Sequence, residues 1–473
     1  MAVERLPKPA GAATGTRRHW VLVTAVLALA ATTASSMQGI VLPIQSDLPA
    51  LLDASREQTA WVVTATLLTS CVAGPIAGRL GDLFGKRRIA VALLLVLVVG
   101  SIVAALAQDV TTLIVGRALQ GIAYGLTPLG FAMVGEIVPA RRVPTSLAVI
   151  SGGLAFGWAI SLPLGALITQ LFDWRWLFWM AVLVGLVDLL LVLAVVPAGR
   201  IRASGTVDVI GAVGLTAGIT GVLLAVSQIG TWNGWWIAGC AAAGAVILVV
   251  WARYQWRASS PLVDLRTTLR RVVLLTNLST VAAGFAYYAC TISLPQLLEL
   301  PATDGGAGLG LPLLGAGLVL AIGAVGEVAA APLAAVFGTR FGGRPLMIAG
   351  ALVMLAGYVL VLFLHTEVWH ILVVGLVLGL GIGLSFAGMP MIIGRAVPVT
   401  ETASANSVNA LARTLGTTSA STVIAVILTT GIVQGGPAAG QPSPGAFLLS
   451  FALPAVVAAA SAVLSLLAVR RPA

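Results

Sequence analysis

Residues 75–88 read PIAGRLGDLFGKRR, and an unbroken apolar run, IAVALLLVLVVGSIVAALA, follows at residues 89–107. The run has the length that an α-helix needs to cross about 30 Å of hydrocarbon at about 1.5 Å per residue. A membrane β-strand would instead show about 10 residues of alternating polarity. The run therefore predicts a membrane-spanning helix that begins at a short basic loop.

The whole chain has the composition of a membrane protein. Of its 473 residues, 59% are hydrophobic and 9% are charged, and the mean hydropathy is +1.04. Soluble domains carry about 25% charged residues, so this composition excludes a soluble globular protein. Similar apolar runs recur along the sequence and predict an all-α integral membrane protein with fourteen transmembrane helices. The predicted spans lie near residues 20–44, 59–80, 88–108, 111–138, 145–169, 174–196, 207–229, 234–253, 272–299, 312–338, 345–365, 368–395, 403–432 and 446–469.

The basic residues predict which helix ends face the cytoplasm, because short loops rich in Lys and Arg stay inside. With the N-terminus inside, 22 of the 26 Lys and Arg residues lie in predicted cytoplasmic segments or at the cytoplasmic ends of spans. Arg56 and Arg175 lie outside, and Arg117 and Arg413 lie within spans. We therefore expect a multi-pass protein of the plasma or inner membrane with both termini cytoplasmic. The net charge of +10 then reflects topology and contact with membrane lipid, and no nucleic-acid partner is expected.

Residues that bind metals or carry enzyme chemistry are few and scattered. The three cysteines lie inside predicted spans and the three histidines flank spans without clustering, so no metal or cofactor site is expected. No segment between spans is long enough for a nucleotide-binding domain, and residues 81–87 lack the spacing of a phosphate loop. The sequence predicts no enzyme, and a gradient is the expected energy source.

Residues 75–88 have a counterpart at residues 332–345, with six identical positions and no gap. The first copy follows predicted span two and the second follows span ten, so eight spans separate them. This spacing predicts two six-helix bundles with two spans inserted between them, related as parallel repeats. The predicted divisions are a cytoplasmic tail at 1–19, an N-terminal bundle at 20–196, the inserted spans at 197–253, a cytoplasmic linker at 254–271, a C-terminal bundle at 272–469 and a tail at 470–473.

The loop at residues 78–88 resembles the signature that the major facilitator superfamily carries between its second and third spans. Its glycines permit a tight turn and close helix approach, and its basic residues suit the cytoplasmic surface. The resemblance implies that the loop latches the two bundles together in one state of the transport cycle. The matching positions are Gly78, Arg79, Gly81, Asp82, Gly85, Lys86 and Arg87. Residues 58–65, 173–179 and 261–265 are similar to segments of the superfamily's fourteen-span drug:proton antiporter branch.

Span four carries Arg117, followed by Gln120, and resembles the superfamily's second motif, whose buried arginine is associated with proton coupling. An arginine inside a span costs at least about 2.5 kcal/mol, so a cavity or a polar partner is expected; snorkelling to the outer surface is the alternative. Span five matches the antiporter motif only in part, because Ser161-Leu162 stands where a Gly-Pro pair belongs.

The family's usual aspartate in span one is replaced by Ala34, so a proton carrier must lie elsewhere. Asp188 in span six and Glu327 in span ten are the carboxyl residues well inside spans. We favour Glu327, because the small residues and Pro332 around it predict access for water, whereas Asp188 lies on an otherwise apolar span. A permanently protonated, structural Glu327 is the alternative.

A few polar residues predict where a substrate binds. The spacing of Asn406, Asn409 and Arg413 puts them on one face of span thirteen. Hydroxyls on span one could equally serve helix packing. The cavity candidates are Ser35, Gln38, Gln120, Asn406, Asn409 and Arg413.

Together with these features, the resemblance implies a monomeric transporter that exports hydrophobic or amphipathic compounds by alternating access, in exchange for protons and without a cofactor. Apolar walls with few polar groups suit such substrates better than a sugar. Because Ala34 replaces the usual acid, a facilitator or a dedicated metabolite exporter without tight proton coupling stays open.

Overall fold

The computed structural model describes residues 17–45, 47–199, 203–227, 232–302, 306–435 and 440–468. Most of residues 1–19 and all of residues 470–473, predicted as tails, lie outside the described residues. The described chain is helical apart from an isolated β-bridge between Ile432 and Pro442 and short connections. The helices are α1 (Arg17–Gly39), α2 (Leu48–Leu51), α3 (Arg56–Phe84), α4 (Lys86–Ala105), α5 (Val110–Ile122), α6 (Leu126–Ile137), α7 (Val143–Leu171), α8 (Trp176–Val195), α9 (Val209–Ser227), α10 (Gly234–Arg257), α11 (Leu265–Thr268), α12 (Arg271–Glu299), α13 (Leu313–Phe341), α14 (Gly343–Phe363), α15 (Val368–Ala396), α16 (Thr402–Thr430) and α17 (Pro444–Leu467).

Within the described residues, twelve of these helices are long and apolar enough to cross a membrane. The other two predicted spans are shorter. The span predicted at residues 111–138 is divided into α5 and α6 by a 3-10 turn at Ala123–Gly125, and the span predicted at residues 207–229 is α9, of 19 residues. The all-helical membrane architecture is observed, and the count of fourteen spans stays a prediction.

The long helices pack in two groups. In the first, α1 packs against α7 and α8, α3 against α5, and α4 against α5 and α8. In the second, α12 packs against α16 and α17, and α15 against α13 and α14. One apolar core, which includes Leu97 and Phe178, lies mainly in the first group and extends to residues of the second where the groups meet. Another, which includes Tyr358 and Phe447, lies in the second group. The groups meet where α3 contacts α16 and where α7 contacts α13.

The repeated sequence forms the same local structure twice. Helices α3 and α13 each have 29 residues and contain the repeated proline, Pro75 or Pro332. Each ends at a glycine with positive φ, Gly85 at +103° and Gly342 at +84°. L-residues with a side chain rarely adopt this backbone conformation, which explains why glycine occurs in both copies.

Candidate functional site

A cavity of about 170 Å³ lies between the two groups of helices. Its walls come from α1, α3, α6 and α7 on one side and from α12, α13, α15 and α16 on the other. Among the described residues, Glu327 and Arg413 are the charged side chains on this wall. The predicted cavity residues found on it are Ser35, Gln38, Asn406, Asn409 and Arg413.

The two charges of the cavity come from facing helices, Glu327 from α13 and Arg413 from α16. Arg413 acts on the Glu327 carboxyl electrostatically, but the two side chains form no ion pair within 4.0 Å. The Arg413 guanidinium donates from Nη2 to the Tyr124 hydroxyl at 3.0 Å and lies 5.2 Å from the centre of the Phe386 ring. The arginine is thus held by neutral partners, which leaves the carboxyl on the wall without a fixed ion-pair partner.

The amides on α16 take part in contacts between helices. Asn409 donates from Nδ2 to Asn277 Oδ1 at 3.0 Å and to Thr280 Oγ1 at 2.6 Å, both on α12. Asn406 donates to the backbone carbonyl of Thr402 at 2.8 Å within its own helix. The predicted face of α16 therefore reaches the cavity and also joins α16 to α12.

The hydroxyls of α1 serve packing in this structure. Ser35 donates to the Leu154 carbonyl at 2.7 Å and Thr32 donates to the Gly153 carbonyl at 2.9 Å, both on α7. A Cβ at Gly153 would lie 2.8 Å from the Ala28 carbonyl oxygen, so the glycine is what allows the two helices to approach. Ser35 lines the cavity, but its hydroxyl proton is already donated to the Leu154 carbonyl.

Arg117 is fully buried and lies away from the cavity wall. Its Nη1 donates to the Met37 carbonyl on α1 at 2.7 Å and to Gln120 Oε1 at 2.9 Å, and its Nε donates to the Val62 carbonyl on α3 at 3.4 Å. Gln120 donates in turn to Ser101 Oγ at 2.8 Å. Burial excludes the snorkelling alternative, and Gln120, predicted for the cavity, instead orients the arginine.

Asp188 is also fully buried, in α8. Thr33 of α1 approaches its carboxyl group, although the Thr33 hydroxyl donates to the Leu29 carbonyl at 3.1 Å. Neither carboxyl oxygen has a well-formed hydrogen bond within the described residues. Asp188 therefore faces the contact between α1 and α8 and not the cavity.

The loop at residues 78–88 forms a second cluster, at the end of the helices that we call the loop end. Asp82, with no exposed surface, accepts a hydrogen bond at 3.0 Å from the backbone N–H of Ser404, in the first turn of α16. The N-terminus of a helix attracts negative charge, so this contact joins the two helix groups favourably. Lys86 pairs with Asp82 at 3.0 Å and with Glu136 of α6.

The other residues of the loop also have defined partners. Arg79 donates from Nη2 to Ser260 Oγ at 2.7 Å, and Arg87 donates to the Leu193 carbonyl at 2.6 Å. A Cβ at Gly78 would lie 2.8 Å from the Ala403 carbonyl oxygen, and a Cβ at Gly81 would overlap Leu129. The glycines therefore allow α3 to approach α16 and α6 closely.

Sequence reasoning missed the partners of this loop. Ser404, Ser260 and Glu136 all lie far from the loop in the sequence. One signal could have identified the partner of Asp82. Helix α16 starts near Thr402, and the N-terminus of a helix is a favourable site for a carboxylate. Across the described residues, no group of three or more His, Cys, Asp or Glu side chains could hold a metal ion.

Two packed groups of apolar helices around a cavity define a membrane transporter. Residues 24–306 and 276–473 match the Major Facilitator Superfamily, and the chain belongs to that family.

Two bacterial relatives illustrate the similarity. Multidrug resistance protein 3 of Bacillus subtilis is 26% identical over 387 residues, which cover 79% of this chain and 73% of the relative. An uncharacterised MFS-type transporter of Mycobacterium tuberculosis is 29% identical over 269 residues, which cover 56% of this chain. The chain spans 39% of the length of that mycobacterial relative.

Solved transporter structures have the same fold. The human organic anion transporter MFSD10 superimposes with a TM-score of 0.64 at 15% identity, over 94% of this chain and 99% of that chain. The proton:xylose symporter XylE gives a TM-score of 0.67 at 15% identity, over 93% of this chain and 95% of that chain. At this identity the likeness shows the fold alone.

Proposed function

We propose that the protein is a secondary active transporter that exports hydrophobic or amphipathic organic compounds, including drugs, in exchange for protons. The observation that carries this proposal is the central cavity, whose largely apolar wall holds one carboxyl group, Glu327, near one cation, Arg413. Most of the exposed surface of this wall is apolar, and hydroxyl and amide side chains lie between the apolar ones, so the wall suits hydrophobic and amphipathic substrates. The names of relatives, which include multidrug resistance proteins, support the same class. Antibiotic resistance is the expected phenotype of cells that overproduce the protein.

The proposed architecture has fourteen spans, in the drug:proton antiporter branch of the superfamily. Residues 20–196 and 272–469 form the two bundles, residues 197–253 form the inserted spans and residues 254–271 form the linker. Both terminal tails and the loop end face the cytoplasm, and the protein acts as a monomer in the inner membrane. The distribution of Lys and Arg supports this orientation.

Labelling of single cysteines tests the orientation. In a background without Cys71, Cys240 and Cys290, Ser259→Cys and Gly435→Cys probe the two faces. A membrane-impermeant maleimide added to intact cells is expected to label Gly435→Cys alone, and Ser259→Cys only after permeabilisation. Labelling of Ser259→Cys in intact cells would overturn the orientation.

For proton coupling we propose Glu327 as the carrier, with Asp188 as the second candidate. A carboxyl on the cavity wall can meet water from whichever side the cavity opens to, and a buried carboxyl between α1 and α8 is less accessible. Arg117 would act indirectly, because its hydrogen bond to the Met37 carbonyl fixes the turn of α1 that carries Gln38.

For the conformational cycle we propose that residues 78–88 latch the loop end. Asp82 joins α3 to the first turn of α16, and Lys86 links Asp82 to Glu136. Opening the cavity at this end requires α3 to separate from α16, which breaks the hydrogen bond between Ser404 and Asp82. The remaining members, Gly78, Arg79, Gly81, Gly85 and Arg87, shape or support the turn.

Flux measurements in liposomes test the proposed function. The purified protein is expected to move a lipophilic fluorescent cation faster when a pH gradient is imposed. Glu327→Gln should lose gradient-driven flux but retain substrate exchange, because glutamine resembles the protonated acid. Asp188→Asn is the matched control and should keep gradient-driven flux.

Two other results would change the assignment. If Glu327→Gln keeps full gradient-driven flux and Asp188→Asn loses it, the proton carrier lies in α8. If wild-type flux is the same with and without the gradient, the protein is a facilitator or a dedicated metabolite exporter. Ala34, buried in α1 and without a titratable group, favours that second function.

A further inference from the structure

The inserted helices α9 and α10 pack mainly on each other, through glycines. A Cβ at Gly244 of α10 would lie 2.7 Å from the backbone N of Val222 on α9. Helix α10 is largely exposed, as Trp235 and Trp236 show at 86% and 71%. Helix α9 packs against both helix groups, because it contacts α3 and α16. The pair therefore lies against the line where the two groups meet.

An apolar cluster holds α9 at this line. Leu215, Ile219 and Leu223 of α9 are buried together with Cys71 and Val72 of α3. Val408 and Leu411 of α16 pack against the same cluster. Helix α9 thus touches both of the helices that must separate when the loop end opens.

The segments that flank the pair reach the latch itself. Ala203 donates its backbone N–H to the Asp82 carbonyl oxygen at 2.7 Å. Ser260, which follows α10, accepts from Arg79 Nη2 at 2.7 Å and from the backbone N–H of Thr206 at 3.0 Å, and donates to the Thr206 carbonyl at 3.0 Å. A hydroxyl offers one donor and two acceptor positions, so Ser260 is fully engaged and its orientation is fixed.

Gly205 makes room for this contact. Its φ of +132° is a conformation that favours glycine. A Cβ at this position would overlap Ser260 Oγ and would lie 3.1 Å from Arg79 Nη2. The segment at residues 203–206 therefore closes over the guanidinium only because residue 205 has no side chain.

A second group of hydrogen bonds joins the segment before α9 to the end of α10. Asp208, before α9, accepts from Gln255 Nε2 at 2.9 Å and from the Tyr254 hydroxyl at 3.1 Å, both on α10. It also accepts from the backbone N–H of Leu262 at 3.3 Å, and the Leu262 carbonyl accepts from Ser404 Oγ at 3.3 Å. Both flanking segments are thus tied to each other and to the first turn of α16.

We propose that the inserted pair stabilises the closed loop end, and that Ser260 is the positioning residue for Arg79. Ser260 holds the guanidinium beside the contact between α3 and α16, in the only hydrogen bond that Arg79 makes within the described residues. This inference rests on the proposed latch of the transport cycle. Opening of the loop end must release Arg79 from Ser260, so the pair sets the balance between closed and open states.

The test is a distance measurement across the loop end. Spin labels at Arg141→Cys and Thr339→Cys, in a cysteine-free background, lie at exposed positions in the two helix groups. Pulsed electron paramagnetic resonance in nanodiscs, without substrate and without a pH gradient, gives the fractions of closed and open molecules. Ser260→Ala should raise the ratio of open to closed molecules about tenfold, the effect of losing a hydrogen bond to a charged group.

Three further variants make the result specific. Ser260→Thr keeps the hydroxyl and should restore the wild-type ratio, whereas Ser259→Ala, at an exposed neighbour, should leave it unchanged. Gly205→Ala keeps Ser260 but displaces it from Arg79, and should raise the ratio even if Ser260→Ala cannot be purified. The proposal is wrong if Ser260→Ala or Gly205→Ala matches Ser259→Ala.

These distances do not depend on what the protein transports. A wild-type protein without gradient-driven flux would contradict the proposed function and leave this measurement valid. Conversely, normal flux with unchanged distances in Ser260→Ala would contradict the role of the inserted pair alone.

Discussion

The two copies of the repeated turn, residues 75–88 and 332–345, share a backbone and differ in charge. Each copy contains the last turns of a 29-residue helix, and in each the helix ends at a glycine with positive φ. Where the first copy has Asp82, which accepts from Ser404 of the other helix group, the second has Thr339. The Thr339 hydroxyl donates to the Val336 carbonyl of its own helix at 2.8 Å.

This comparison shows that the repeated motif serves two purposes, a turn of the backbone and a charged contact between helix groups. Glycine is needed in both copies because the chain must reverse in a conformation that other residues rarely adopt. Buried charge is found in the first copy, where α3 meets α16. The equivalent contact of α13 with α7 uses small residues, since a Cβ at Gly152 would lie 2.9 Å from Ala331 Cβ. The duplicated turn therefore carries a buried, charged contact between the helix groups in its first copy only, and this contact is the proposed latch.

The largest effect is expected from removing the charge of that latch. Asp82→Asn is expected to abolish transport, because the amide cannot pair with Lys86 and is a weaker partner for the N-terminus of α16. Breaking a buried ion pair costs up to about 3–5 kcal/mol. Flux in liposomes, at equal protein amount, measures the loss.

Thr339→Val is the matched control in the second copy. It removes a hydrogen bond that stays within α13, so its flux should remain close to wild type. Equal losses in Asp82→Asn and Thr339→Val would contradict a one-sided latch. Normal flux in Asp82→Asn would remove the residue from the mechanism.

The parts of the structure that could be predicted from the sequence depend on local chemistry. Apolar length predicts most of the spanning helices, and the repeated glycines predict the turns at Gly85 and Gly342. The 3-10 turn at Ala123–Gly125 was not predicted, because the pattern of apolar residues does not change at these positions. A Cβ at Gly125 would lie 2.6 Å from Ala77 Cβ, so the reason for this glycine is a neighbour distant in sequence.

The candidate site was harder to predict, because its contacts join distant residues. Small residues near Glu327 were expected to admit water, and this stays a prediction; the structure shows that one of them, Gly326, also lets α13 pack against the Leu376 carbonyl of α15. Gln120 was expected at the cavity, and its partner Ser101 directs it away. Composition predicts that a polar group inside a span has a partner; only the fold shows which one.

A smaller effect, equal in both copies, is expected from the glycines. Gly85→Ala and Gly342→Ala each force a side chain into a positive-φ conformation, which costs about 1–3 kcal/mol. Both variants should therefore lower the thermal midpoint by similar amounts.

Gly135→Ala is the control, because Gly135 is helical, has no positive φ and has no atom within 4 Å of an added Cβ. Its midpoint should stay level or rise, since alanine favours a helix by about 1 kcal/mol over glycine. Intrinsic tryptophan fluorescence during heating in detergent measures the midpoints. A thermal midpoint that falls in Gly85→Ala but not in Gly342→Ala would mean that the two turns do not share one backbone requirement. The conclusion that both copies need the same backbone conformation, and that only the charged contact is specific to the first, would then be wrong.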